Sequence, residues 1–178
     1  MNVLRLILSF VTIVFCQSVL AQMNSVAVDF EVSFYKKTCE VDVSEAVIDY
    51  KKVSPIDIVK NDSGETTKLN RDITLKLARC TNVSDLSKSK IFVSGQTEIF
   101  NGKPLFKESG TSKGVGIKLL VDDIAKTDGD VLFQLNSSNA IGDTFTVTTA
   151  LSCGECNNTS QIAKGSFKAS MIFTVFTD

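Results

Sequence analysis

The chain has 178 residues, with 19 Lys and Arg against 20 Asp and Glu, for a formal charge of −1. That balance, without a basic stripe or interleaved aromatics, argues against nucleic acid as a partner. The chain has no histidine, the commonest general base and nucleophile activator, so catalysis is not expected.

The chain opens on MNVLRLILSFVTIVFCQSVLA, residues 1–21. One charge, Arg5, precedes an apolar run from Leu6 to Cys16, and small Ala21 closes the stretch, which is the layout of a secretory signal peptide. The run is too short to span a bilayer as a helix. Cys16 follows Phe15, where a lipoprotein signal wants a small residue. Cleavage after Ala21 leaves residues 22–178, enough for one domain with a real core.

VAVDFEVSF alternates Val26, Val28, Phe30, Val32 and Phe34, the period of a strand with one buried face. CEVDV continues after it, and AVIDYKKV holds Ile48, Tyr50 and Val53. SPIDIV is a short apolar run after Pro55, and NDSGET is a turn cluster. DITLKLARC alternates Ile73, Leu75 and Leu77, and SKIFVSG places Ile91 and Val93 ahead of Gly95. NGK at 101–103 is a tight-turn signal. VGIKLLV follows a Gly/Ser-rich loop, VDDIAK is the one candidate helical turn, DGDVLFQL begins at another turn, and DTFTVTTAL alternates Phe145 and Val147. The last strand alternates Phe167, Ala169, Met171, Phe173 and Val175. About nine short strands separated by turns predict an all-β sandwich or barrel.

Four cysteines follow the leader: Cys39, Cys80, Cys153 and Cys156. An even count in an exported chain reads as disulfides. Three pairings are open, and spacing favours Cys39–Cys80 with Cys153–Cys156. The first would close a loop of about 40 residues, worth ~4 kcal/mol in the loop-entropy model. CGEC has redox spacing, but it joins two strands and carries Glu155 between the thiols, so a structural hairpin disulfide is expected. Zinc would need four ligands, and no metal site or cofactor is expected. Asp122–Asp123 and Asp128 with Asp130 are read as turn residues.

The last strand raises a question of partnership. It is apolar enough for a sheet interior, yet the sequence ends three residues past Val175 with no partner strand after it. A bare apolar edge is an aggregation hazard.

Several segments in order now resemble one family. They are Phe30 ahead of Cys39-Glu-Val41, IDYKKV, ITLKLARC ending on Cys80, IFVSG ending on Gly95, GVGIKL at 114–119, and the closing GSFKASMIFTV at 165–175. Together they resemble the pilin subunits of bacterial chaperone–usher fimbriae. Lys51 stands where that family's IDYKKV-like strand has glycine, Thr177 where it has an aromatic, and CGEC is extra. The resemblance implies an immunoglobulin-like β-sandwich lacking its final strand, spanning residues 30–178. It implies a groove beside the last strand, filled first by a periplasmic pilus chaperone and then by the N-terminal extension of a neighbouring pilin subunit, at an outer-membrane usher. The expected groove residues are Met171, Phe173 and Val175, with Phe30, Val32 and Phe34 on the opposing first strand. Such a protein passes through the periplasm to the surface fimbrium and serves adhesion.

The extension ahead of Phe30, residues 22–29, holds only Val26 and Val28 as candidate donor-strand residues. It is short for a donor, because each pocket takes every second residue of an extended strand. That favours a minor subunit at or near the fibre tip; the alternative is that the fold begins later and the donor segment runs on through Phe34. Two other readings share the same strands. One is a single-domain tip adhesin with a host glycan or protein as receptor. The other is a free secreted immunoglobulin-like domain.

Overall fold

A computed structural model describes residues 26–31, 39–81 and 86–177. The leader read over 1–21, and Val32 and Phe34, lie outside the described residues. The first strands are β1 (Val26–Glu31), β2 (Cys39–Val43) and β3 (Val47–Asp49), and helix α1 (Pro55–Asp62) follows. Next come β4 (Asn70–Cys80), β5 (Lys90–Ser94), β6 (Thr97–Phe100), β7 (Lys103–Phe106) and β8 (Ser109–Gly110). The chain continues with β9 (Gly116–Val121), β10 (Ile124–Lys126), β11 (Val131–Gln134) and β12 (Thr144–Ser152). A 3₁₀ turn, Thr159–Gln161, leads to the last strand, β13 (Phe167–Phe176).

The fold is all-β in two sheets. One runs β11-β5-β13-β1-β3, with β8 also beside β13. The other runs β2-β4-β12-β9-β7-β6, with β10 beside β9. Alternation decides the buried faces, because successive strand side chains point opposite ways. Ile73, Leu75 and Leu77 of β4 are buried, and so are Ile117 and Leu119 of β9. They share one core cluster with Ile91 and Val93 of β5 and the inner residues of β13. Among the described residues no helix is long and apolar enough to cross a membrane.

Three local expectations change. SPIDIV is not a strand but the start of α1. Pro55 sits in its first turn, where the missing N–H costs no helix bond, Asp57 lies near the N-terminus and Lys60 in the last turn. Ile58 anchors the helix in the core. VDDIAK is not helical: Asp122 and Asp123 both take positive φ, 49° and 62°, and turn β9 into β10. Two consecutive left-handed residues make the hairpin turn that matches strand twist, and Asp tolerates that region better than most residues. Asn101 and Gly102 make the same kind of turn between β6 and β7, as NGK predicted. Finally, CGEC does not close a hairpin. It leaves β12 in one sheet and leads by way of the 3₁₀ turn to β13 in the other.

Both disulfides are present in the favoured pairing. Cys39–Cys80 ties β2 to β4 at directly opposed positions, and Cys153–Cys156 closes the CGEC turn. Both cysteines of the second pair are buried, which suits a structural bond rather than an exchanging one.

Tyr50, just after β3, is buried with its hydroxyl 3.2 Å from Thr149 Oγ1 of β12. Burial pushes its phenol above the ordinary value of 10.0, with the Thr149 hydrogen bond pulling weakly the other way. The folded state therefore keeps its proton at a pH where the unfolded chain has lost it. Stability is full below the unfolded value and falls as pH rises through the folded one. The unfolding midpoint is expected to drop above about pH 10, and less so in Tyr50→Phe. Identical alkaline profiles for the two proteins would refute this.

Candidate functional site

The last strand is the centre of its sheet. On one edge β13 pairs antiparallel with β5, from Ile172 opposite Ser94 to Phe176 opposite Lys90. Its first two residues pair with β8 on that same edge. Gly95, just after β5, lets the backbones come close: a Cβ there would lie 2.4 Å from Ser170 O. Asp128 Oδ1 accepts a hydrogen bond from Gly95 N at 2.9 Å and holds the turn before β11 against it. Asp130 Oδ2 accepts from Thr127 N at 2.7 Å. These carboxylates work as turn residues here.

The other edge of β13 is closed by β1. The two strands run parallel, with Val26 opposite Phe167, Val28 opposite Ala169 and Phe30 opposite Met171. β1 in turn pairs antiparallel with β3, Val28 opposite Ile48. The N-terminal strand therefore lies in a slot between β13 and β3, and it joins β2 through residues 32–38.

This arrangement redistributes the expected site residues. Met171, Phe173 and Val175 are brought together on the inner face of β13, all within 2 % of complete burial. Phe167 and Ala169 extend the same face and were not singled out, although the alternation already marked them. Phe30 was expected on the bank opposite β13, with Val26 and Val28 on a separate donor segment. The three instead share one strand, and that strand is in the slot. The bank facing β13 across it is β3, which carries Ile48, buried to 2 % exposure. The expected boundary between residues 29 and 30 falls inside β1 for the same reason. Val32 and Phe34 lie outside the described residues.

The outer face of β13 is held by polar contacts near its start. Glu108 N donates to Lys168 O at 2.8 Å, Lys168 Nζ lies 3.8 Å from Glu108 Oε2, and Ser170 Oγ hydrogen-bonds the same carboxylate. At the far end Phe176 is half exposed and packs edge-on against Phe92, ring centroids 6.5 Å apart. Among the described residues no group of three His, Cys, Asp or Glu could hold a metal ion.

What this site can do is backbone chemistry. A strand in a slot contributes main-chain hydrogen bonds on both sides, and these do not depend on whether the strand comes from the same molecule or another. Comparison of the chain with protein-family models and with curated proteins finds no match in either.

Proposed function

We propose that this chain is an exported structural subunit of a chaperone–usher fimbrium that accepts a strand from another protein in the slot between β13 and β3. In this reading the two sheets form an immunoglobulin-like sandwich lacking its own final strand. One observation carries it: from Phe167 to Ile172 the second edge of β13 is covered by β1 and, among the described residues, by no later strand. A parallel ladder is slightly weaker per residue than an antiparallel one. An incoming strand from a periplasmic chaperone, and later from a neighbouring subunit at the usher, can therefore displace β1. The freed extension is short, which suits a minor subunit near the fibre tip.

The test is co-expression of the full chain with a fimbrial chaperone from its own source, followed by size exclusion and limited proteolysis. A one-to-one complex in which residues 22–31 become protease-sensitive is expected. A monomer that ignores excess chaperone and keeps residues 22–31 protected sinks the reading. Tip placement has its own check. With the chaperone covering the slot in place of β1, fibres should still carry the subunit after deletion of residues 22–29, and loss of incorporation from an intact chaperone complex would overturn that placement.

A further inference from the structure

A cavity of about 360 Å³ opens where the segment after β3 meets the N-terminus of α1 and the chain just before β13. That size falls in the ~300–1,000 Å³ range of small-molecule sites. Ile58, Val115 and Phe167 supply apolar wall, each buried to less than 5 % exposure. The mouth carries Lys51, Lys52 and Lys164, all exposed. Among the described residues no Asp or Glu lines it, in a chain with more acids than bases. None of the three lysines enters an ion pair among the described residues.

One feature points to a ligand, and a second places a charge at the mouth. Ser112 lines the cavity at 5 % exposure, and its hydroxyl is buried with no hydrogen-bond partner among the described residues. Buried polar groups are nearly always satisfied, so such an orphan marks a place where a partner is absent. Lys51 meanwhile has φ 55°, a conformation that favours glycine. Asp49 Oδ1 holds this turn by accepting from Lys51 N at 2.7 Å. The backbone thus carries strain with an amine at the cavity mouth, where glycine would relieve it.

We propose that this cavity binds an amphipathic organic anion, its apolar body against Ile58, Val115 and Phe167 and its anionic head group among Lys51, Lys52 and Lys164. The Ser112 hydroxyl, after a turn about χ1, pairs with a polar atom of the ligand. The cavity adjoins one end of the strand slot, since Phe167 begins β13 and Lys51 follows β3, but its proposed ligand does not depend on the fimbrial reading.

Decanoate, decylphosphonate and the neutral decanol are the probes, titrated into the full processed chain and followed by calorimetry and backbone amide shifts. Saturable one-site binding of decanoate is expected, with shifts at Val115 and Phe167. Decanol should bind roughly tenfold more weakly. A tighter fit of decylphosphonate assigns the head group as phosphate-like, a tighter fit of decanoate as carboxylate, and either supports the site. Lys51→Gly should weaken decanoate about threefold while leaving the unfolding midpoint unchanged or higher, since glycine relieves the backbone. Adding Lys52→Gln and Lys164→Gln should bring the loss to roughly tenfold or more. Equal affinity for decanoate and decanol overturns the proposal. So does unchanged affinity in the triple variant, or absence of saturation by ~10 mM, where binding free energy is negligible for a built site.

Discussion

A chain lacking residues 22–31 is expected to aggregate, and a synthetic peptide of that segment is expected to restore a soluble one-to-one complex. β1 is bonded on both sides. It covers β13 from Phe167 to Ile172 and β3 from Val47 to Asp49. Its removal leaves two strand edges bare in the middle of a sheet. Each intramolecular hydrogen bond lost costs about 1 kcal/mol net, and an unsatisfied buried group costs more. A ladder of this length is therefore worth several kcal/mol, against a total stability of roughly 5–15 kcal/mol. The bare edges also border Met171 and Ile48, both buried in the intact chain, so the exposed template is apolar as well as unpaired. Sedimentation and thermal unfolding of the truncated chain, with and without peptide, measure the effect. A truncated chain that stays monomeric with an unchanged midpoint would show that β1 contributes nothing. In that case the edges of the slot need no covering strand, from this molecule or from another.

Asp62→Ala is expected to lower stability by roughly 3–5 kcal/mol, the range for breaking a buried, hydrogen-bonded ion pair from one side. The Asp62 side chain, at the end of α1, is fully buried and pairs with Lys118 Nζ at 3.2 Å. Its other oxygen accepts from Ser152 Oγ at 2.9 Å, Cys153 N at 2.8 Å and Glu155 N at 3.1 Å. One carboxylate thus organises the CGEC turn, fastens it to the helix and neutralises a lysine of β9. Alanine leaves the two backbone N–H groups and the ammonium without their acceptor. Asp62→Asn keeps one acceptor oxygen and should lose less. Urea midpoints of the wild type and both variants decide the matter. Equal losses for Ala and Asn would mean that the lysine pairing alone matters. No loss in either would mean that the disulfide orders this turn by itself.

Much of this was legible along the chain. Alternation in DITLKLARC and in the last strand marked Ile73, Leu75, Leu77, Met171, Phe173 and Val175 as inward, and all are buried. A period of two is dictated by the strand backbone, so local composition suffices to assign faces. NGK named its own turn, because few residues accept positive φ. Cys39, Cys80, Cys153 and Cys156 forecast two disulfides, with spacing enough to favour the observed pairs. Helix α1 was missed because its eight residues are too few to display a 3.6-residue period, and its signals were the cap and first-turn residues Ser54, Pro55 and Asp57.

The identity of the partners was decided only by tertiary structure. Faces follow from side chains, but pairing along a ladder uses backbone groups that are the same in every residue. Nothing in VAVDFE distinguishes a strand that lines a slot from the strand that fills it, and the structure puts Val26, Val28 and Phe30 together in the filling strand. The roles of Asp62 and Ser112 were invisible for a related reason. One gains its meaning from a turn about 90 residues away, joined to it by Ser152, Cys153 and Glu155, and the other from a cavity whose walls come from four separate stretches of chain. Sequence by itself marked most strands, their inward faces, the NGK turn and the cysteines that pair. The fold alone decided that β1 meets β13, because long-range contacts are set by how whole faces pack and not by any local pattern.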